Sequence, residues 1–181
     1  HGRHITLSPN RRIRWYTTAR GPGPASPTFP AALSPLSNHQ DPTALYNGMI
    51  FALVGFPIRG AIWYRGESNA GQPTEYTELL PLMIGSWREA WGQGDFPFGI
   101  VQLAAFKAVS DNPIQGGWAT LREAQDFTHR VVRNTGLVVL TDVGDARDIH
   151  PRNKQDVGSR LARWALATNY KKDIVYSGPL Y

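Results

Sequence analysis

Three short apolar runs, each followed by a more polar stretch, constrain the fold of this 181-residue chain more than any other feature. They occupy residues 58–64, 98–104 and 136–141. Each run contains a stretch that is apolar at successive positions, at residues 61–64, 98–101 and 136–140, which is typical of a strand that is buried on both faces in a parallel sheet. Because helical patterns separate the runs, the sequence predicts an α/β fold with a mostly parallel sheet and helices on its faces.

The helical patterns carry apolar residues three and four positions apart. The longest covers residues 76–91 and contains Pro81, which predicts a kink or a delayed start, because proline lacks the backbone N–H. Gly92 and Gly94 are expected to end it. Further helices are predicted at residues 45–54, 121–131 and 157–168.

The first 40 residues differ from the rest in charge and composition. They hold five arginines, six of the 14 prolines and no acidic residue, which accounts for the whole net charge of +5. A basic arm suits a phosphate or an acidic surface, but a Pro-rich terminus is more typical of an irregular leader. We therefore predict an irregular leader at 1–40 and a folded domain at 41–175, and we predict no nucleic-acid partner.

Two absences exclude whole classes of protein. The chain has no cysteine, so it has no disulfide, no cysteine zinc site and no cysteine nucleophile. No apolar run approaches the roughly 20 residues that a membrane-spanning helix needs. The sequence therefore predicts no membrane partner.

Polar residues gather after the first and third apolar runs. Residues 65–69 read Arg-Gly-Glu-Ser-Asn, and residues 142–150 hold three aspartates and end in His150. Because the carboxyl ends of parallel strands share one edge of a sheet, both segments are expected to face one cleft. A serine, an amide, carboxylates and a histidine are the components of an acyl-transfer site, with His150 as candidate base and Asn69 as candidate oxyanion donor.

Other interpretations of the same residues stay open at this point. His150 is also readable as a solvated loop histidine that pairs with an aspartate, and Asn69 as a turn residue. A hard cation would suit Asp142, Asp145 and Asp148 together with His150. Their spacing does not match the EF-hand calcium loop, so we predict no metal.

Five segments, in order along the chain, resemble sialate O-acetylesterases of the SGNH hydrolase group. They read LYNGMI at 45–50, IWYRGESNA at 62–70, WGQGDFPF at 91–98, LREAQ at 121–125 and DIHPRNK at 148–154. The resemblance implies a three-layer, flavodoxin-like fold and a serine esterase that removes O-acetyl groups from sugars without a cofactor or metal. It also favours a periplasmic or secreted location and an acetylated carbohydrate as the partner.

The resemblance also implies roles for individual residues. Asn69 takes the place of the oxyanion donor and His150 that of the general base. The group usually has its orienting aspartate three residues before the histidine, where this chain has Arg147. Asp148 is therefore the preferred orienting acid, and Asp145 is the second candidate.

Four neighbouring residues complete the set of candidates. Gly66 and Glu67 belong to the same motif as Asn69 and are secondary site candidates. Arg65 stands where the family usually has glutamine. Arg65 and Arg122 are predicted to contact the substrate.

The nucleophile of the family is not recognisable in this chain. The family carries it in a Gly-Gln-Ser-Asn-Met type motif upstream of the segment at 45–50, and no such motif is present. We therefore expect a chain cut at both ends, with the first strand missing and residues 176–181 leading into a further β-rich region. A sheet edge exposed in this way invites self-association.

Two alternative functions remain. Residues 66–70 resemble a relaxed Gly-x-Ser-x-Gly elbow, which would make Ser68 the nucleophile of an α/β-hydrolase-type esterase, although residues 71–73 separate it from the next helix. The other alternative is a non-catalytic carbohydrate-binding remnant whose aromatic side chains stack on sugars, although aromatics at helical spacing are more often core residues. The aromatic candidates are Trp63, Tyr64, Trp87, Trp91 and Trp118.

Overall fold

The computed structural model describes residues 43–109, 111 and 116–178, together with the backbone of residues 6–7 and 13–14. The chain divides into two compact units, His1–Phe56 and Pro57–Tyr181. Each unit is described by itself below.

The first unit contains a small antiparallel strand pair and a short helical segment. Strands β1 (Thr6–Leu7) and β2 (Ile13–Arg14) pair antiparallel. The helical segment consists of a π-helical turn over Tyr46–Ile50 and a 3-10 turn over Phe51–Leu53. The helix predicted there is present, although most of it is not α-helical. The rest of the predicted leader lies outside the described residues.

The second unit is a parallel sheet of three strands in the order β3–β4–β5. The strands are β3 (Ala61–Trp63), β4 (Phe98–Val101) and β5 (Thr135–Val138), and both neighbouring pairs are parallel. The helices are α1 (Pro73–Trp91), α2 (Gly117–Val131) and α3 (Lys154–Thr168). The predicted α/β fold is confirmed, with strands shorter than the apolar runs that identified them.

The course of α1 corrects one expectation. The helix begins at Pro73, where the fixed φ of proline suits the first helical position. It continues through Pro81, so the predicted delayed start is wrong. Pro81 removes a single backbone hydrogen bond, which a helix of 19 residues packed on a sheet tolerates. The helix ends as predicted at Gly92, which adopts a left-handed φ of 63°.

Alternating residues of β4 divide the core into two clusters. Phe98 and Ile100 pack on the apolar faces of α1 and α2, while Val101 packs on α3. The Trp164 ring of α3 lies so close to the sheet that a methyl group at Gly136 would overlap it. Helices thus cover both faces of the sheet, which makes the three layers that the sequence predicted.

Strand β3 lies at an edge of the sheet. Among the described residues, its outer side pairs with no strand. The side chain of Ile62 is on the α3 face and is 64% exposed. The prediction that this run is buried on both faces is wrong at Ile62, because the buried residues of α3 pack on β4 and β5.

In the part of the chain that the structure describes, no helix is long and apolar enough to cross a membrane.

Candidate active site

The β3 loop, residues 65–72, turns sharply at Gly66 and then winds into a 3-10 turn. Gly66 has a φ of 140°, and a side-chain carbon there would lie 2.8 Å from Cδ2 of Leu121, so the position requires glycine. The backbone N–H of Asn69 donates to the Gly66 carbonyl at 2.8 Å. The turn leaves Ser68 exposed and Asn69 half-buried.

A buried tyrosine from α1 holds the start of this loop. The Tyr76 hydroxyl donates to the Arg65 carbonyl at 3.3 Å and accepts from Nε1 of Trp63 at 2.9 Å. Burial is the main cause that raises the pKa of Tyr76 to about 12, and the nearby Glu67 carboxylate adds to the shift. Tyr76 is therefore a neutral donor at physiological pH.

A buried glutamine from α2 holds the same carbonyl. The side-chain amide of Gln125 donates to the carbonyls of Arg65 and Val101, each at 3.3 Å, and accepts from the Leu103 N–H at 3.0 Å. Gln125 is fully buried. It therefore ties the end of β3 to the end of β4 from within the core.

The first turns of α2 pack directly on the β3 loop. A side-chain carbon at Gly117 would overlap the carbonyl oxygen of Ala70, so the two backbones touch. Arg122 lies further along the same helix and donates to the carbonyls of Leu103 and Ala104, both at 2.8 Å. Burial lowers the pKa of Arg122. Its guanidinium thus supports the end of β4, and a substrate contact by Arg122 would compete with these bonds.

The charged residues of the β3 loop differ in their surroundings. The Arg65 side chain is exposed, whereas Glu67 is half-buried. The Glu67 carboxylate contributes to raising the pKa of Tyr64, after burial, and it does the same for Tyr76. Glu67 therefore lies close to two phenols, and Arg65 is the cation of the loop that is open to solvent.

The β5 loop, residues 139–153, is tied to the sheet in its first half. Gly144 has a φ of 146° and forms a parallel bridge with Ala105, which leaves no room for a side chain. The backbone N–H of Lys107 donates to the Ala146 carbonyl at 3.1 Å. These bonds extend the pairing of β4 and β5 beyond the strands themselves.

An exposed ion pair fastens the same half of the loop to α3. The Arg160 guanidinium contacts both carboxylate oxygens of Asp142, at 2.7 and 2.5 Å. The hydrogen bond from Arg160 lowers the pKa of Asp142 to about 2. Both carboxylate oxygens of Asp142 are thus bound to the guanidinium of Arg160.

The second half of the β5 loop carries His150 on turns of its own. The backbone N–H of Arg147 donates to Asp145, and that of His150 donates to Asp148, each at 2.8 Å. Nδ1 of His150 lies 3.6 Å from the same Asp148 oxygen, and the imidazole is 88% exposed. Asp148 is therefore the carboxylate beside the imidazole, and Asp145 supports the preceding turn.

A cation–π contact joins the two loops. Nζ of Lys154, the first residue of α3, lies 4.5 Å from the centroid of the Tyr64 ring. Tyr64 directly precedes the β3 loop, and Lys154 directly follows the β5 loop. The contact places the two loops at the same edge of the sheet.

The acidic residues do not assemble into a cation site. Among residues 43–109, 111 and 116–178, no group of three His, Asp or Glu side chains is arranged to hold a metal ion.

Four of the five aromatic candidates for sugar stacking pack against other aromatic rings. Trp87 contacts both Trp63 and Trp91 with ring centroids 5.9 Å apart, and all three belong to the cluster beneath α1. Trp118 packs on Phe106 at 5.1 Å, and its Nε1 donates to a backbone carbonyl at 2.9 Å. These rings contribute to the core of the unit.

Sequence reasoning missed the residues that brace the β3 loop. Gln125 lies four positions after Leu121 and three before Thr128, on the buried face of α2. A polar side chain within an apolar helical stripe is the signal that identifies such a residue, because a buried amide must find partners. Tyr76 was recognised only as part of the apolar face of α1.

Three comparisons with known proteins agree. A family model described as carbohydrate esterase, sialic acid-specific acetylesterase, matches residues 32–167. The sialate O-acetylesterase of Mus musculus is 37% identical over 157 residues, and that of Homo sapiens is 35% identical over 155 residues. Each match covers 76% of this chain, but only 28% and 29% of the two relatives.

A solved structure is similar over the same share of the chain. The crystal structure of a carbohydrate acetylesterase from Xanthomonas citri superposes with a TM-score of 0.70 and 46% sequence identity. The match covers 76% of this chain and 32% of that protein. The chain thus spans less than a third of the length of the relatives that it matches.

Proposed function

Because this chain belongs to the carbohydrate esterase family of sialic acid-specific acetylesterases, we propose that it contributes to the hydrolysis of O-acetyl esters on sugars. The observation that carries the proposal is the placement of Asn69 and His150. They lie on two loops at one edge of the sheet, and the Tyr64–Lys154 contact joins these loops. An amide donor and an exposed imidazole at one edge suit acyl transfer better than binding alone.

In the proposed reaction, a serine hydroxyl attacks the carbonyl carbon of the acetyl group while His150 takes the hydroxyl proton. Asp148 stabilises the imidazolium that forms, and the Asn69 amide donates to the developing oxyanion. His150 then gives its proton to the departing sugar oxygen. Water attacks the acetyl-serine with His150 again as base, which releases acetate and restores the serine.

We assign the nucleophile to a serine other than Ser68. A nucleophile elbow is a tight turn that leads from a strand straight into a helix. Ser68 instead lies within a 3-10 turn, and α1 begins only at Pro73. We propose that the family's upstream motif, which is not recognisable in these 181 residues, supplies the serine from another part of a longer protein.

The substrate is proposed to be an acetylated carbohydrate that passes over the β3 loop. The exposed guanidinium of Arg65 lies four residues from Asn69, where it suits a carboxylate or hydroxyl of a sugar. Arg122 is assigned a weaker contact, because two of its nitrogens already hold backbone carbonyls. Self-association through the outer edge of β3 and a periplasmic or secreted location remain further proposals.

A chimera tests this function without requiring the missing segment to be identified first. Residues 57–178 replace the matching segment of the Xanthomonas citri acetylesterase, and hydrolysis of an aryl acetate is followed. We expect an active chimera whose kcat falls by about 10²–10³-fold when Asn69 is replaced by alanine, with little change in KM.

The nucleophile is tested in the same protein. Ser68→Ala is expected to leave kcat unchanged, because the exposed hydroxyl takes no part in the reaction. Loss of activity in Ser68→Ala, with the fold intact by circular dichroism, would favour the alternative esterase in which Ser68 attacks the ester. An inactive chimera that folds would contradict the proposed function itself.

A further inference from the structure

The contact between Tyr64 and Lys154 has features that ordinary packing does not explain. Lys154 is the first residue of α3, where the positive end of the helix dipole disfavours a cation. Asn153 is the N-cap of this helix, and its side chain accepts a hydrogen bond from the Asp156 N–H at 3.2 Å. The ammonium group of Lys154 is therefore not required for capping, and it lies over the Tyr64 ring.

The position of Tyr64 is fixed by its packing between the sheet and α3. Its ring packs against the cluster that contains Val101, Val138 and Leu161, between the sheet and α3. Its hydroxyl oxygen is shielded from solvent and has no hydrogen-bond partner among the described residues. Because Nζ of Lys154 lies over the ring and the hydroxyl makes no hydrogen bond to a described residue, the contact uses the aromatic ring of Tyr64 and not its phenol oxygen.

The position of the pair in the chain links it to both candidate loops. Tyr64 is followed directly by the loop that carries Asn69, and Lys154 stands four residues after His150. The residues between His150 and Lys154 include Pro151, which is buried and limits the freedom of the connecting segment. A displacement of Lys154 relative to Tyr64 therefore also displaces the short segment that carries the imidazole of His150.

We infer that Tyr64 and Lys154 are positioning residues, which set the separation of the Asn69 loop and the His150 loop through a cation–π contact. They touch no reacting atom and act through the two loops. That these loops form an acyl-transfer site rests on the proposed function. The separation itself is a property of the folded chain and is measurable without catalysis.

The absence of cysteine makes the separation accessible to spin labels. Ser68→Cys and Arg152→Cys introduce two unique labelling sites on exposed positions of the two loops. Double electron–electron resonance on the full chain then reports the distribution of distances between them. We expect a single narrow peak in the labelled parent, and its loss in Lys154→Met, which keeps the aliphatic stem and removes the charge.

Two conservative variants separate positioning from stability. Lys154→Arg keeps a cation and Tyr64→Phe keeps the ring, so both should retain the narrow peak, whereas Tyr64→Leu should lose it. Urea unfolding of each labelled protein reports its stability independently. An unchanged distribution in a folded Lys154→Met protein would overturn the inference, whether or not the chimera described above proves active.

Discussion

The two loops that meet at the carboxyl edge of the sheet are held in different ways. The β3 loop is braced from α1 by Tyr76 and from α2 by Gln125, and its turn rests on the backbone of Gly117. The β5 loop is paired with the sheet only as far as Ala146. Beyond that point, His150 and its aspartates are held by hydrogen bonds within their own turns and by the contact of Lys154 with Tyr64 that follows them.

This difference corresponds to the two tasks that we assign to the loops. An oxyanion donor is most effective when it is already in place before charge develops, because no reorganisation is then needed during the reaction. A general base has to accept and release protons in two successive half-reactions. An exposed imidazole beside Asp148 leaves the final orientation of His150 to the serine and the substrate.

The largest effect on stability is expected from a substitution that forces α2 away from the β3 loop. In Gly117→Ala the new methyl group overlaps the Ala70 carbonyl, so the backbones have to separate. We expect the free energy of unfolding to fall by about 3 kcal/mol, as in overpacked cores. Urea denaturation followed by tryptophan fluorescence measures the change.

Gly158→Ala is the matched control. Gly158 lies inside α3 with no heavy atom within 4 Å of the added carbon. Alanine should therefore stabilise the helix by about 0.5–1 kcal/mol. Equal effects of the two substitutions would mean that the approach of α2 to the β3 loop does not stabilise the fold.

A smaller effect is expected from the buried amide. Gln125→Leu removes the partner of the Leu103 N–H and one donor to the Arg65 carbonyl. We expect a loss of about 2–3 kcal/mol, because buried polar groups are left unsatisfied. Thr128→Val, on the same buried face, removes one hydroxyl that bonds only the Ala124 carbonyl and should cost about 1 kcal/mol.

Gln125→Leu and Thr128→Val also test whether the Gln125 amide keeps the β3 loop ordered. If the amide braces the β3 loop, hydrogen exchange of the Asn69 N–H should accelerate in Gln125→Leu and not in Thr128→Val. An acceleration in both variants would point to general loosening of α2 instead.

The smallest expected effect concerns the ion pair of the β5 loop. Arg160 holds the pKa of Asp142 at about 2, below its ordinary value of 3.8. A carboxylate whose pKa is lower in the folded state stabilises the fold above its unfolded pKa. That contribution is lost as the pH falls from about 4 towards 2.

Carbon-13 NMR of the Asp142 carboxyl group checks this expectation directly. Its titration midpoint should lie near 2 in the parent and move up towards 3.8 in Arg160→Met. If the titration midpoint of Asp142 is unchanged in Arg160→Met, the ion pair does not anchor the loop.

Local sequence patterns predicted the layers of the fold but not the exposure of Ile62. The apolar runs identified three parallel strands, because continuous apolar runs and helical spacing are patterns among neighbouring residues. The exposure of Ile62 depends on which elements lie beside β3, and a run of apolar letters does not contain that information. The course of α1 through Pro81 likewise depends on packing along the whole helix.

Sequence patterns likewise predicted the loop positions of the candidate site residues but not the contacts that hold these loops. Asn69, Asp148 and His150 were predicted to lie on loops, because the segments 65–69 and 142–150 that contain them follow apolar runs directly. The brace by Gln125 joins residues that are 60 and 22 positions apart, so no local pattern specifies its partners. The stacking of Lys154 on Tyr64 is likewise a contact between distant segments of the chain.

The proposed role of His150 as general base is tested in the chimera with the Xanthomonas citri acetylesterase. The measurement is kcat/KM for an aryl acetate in His150→Ala, with His129→Ala as the matched histidine control. His129 is half-buried on α2, and its Nδ1 lies 3.1 Å from the Thr135 hydroxyl. We predict a loss of about 10³-fold or more for His150→Ala and little change for His129→Ala. A His150→Ala chimera that keeps its activity within a few-fold of the parent would show that His150 is not the general base.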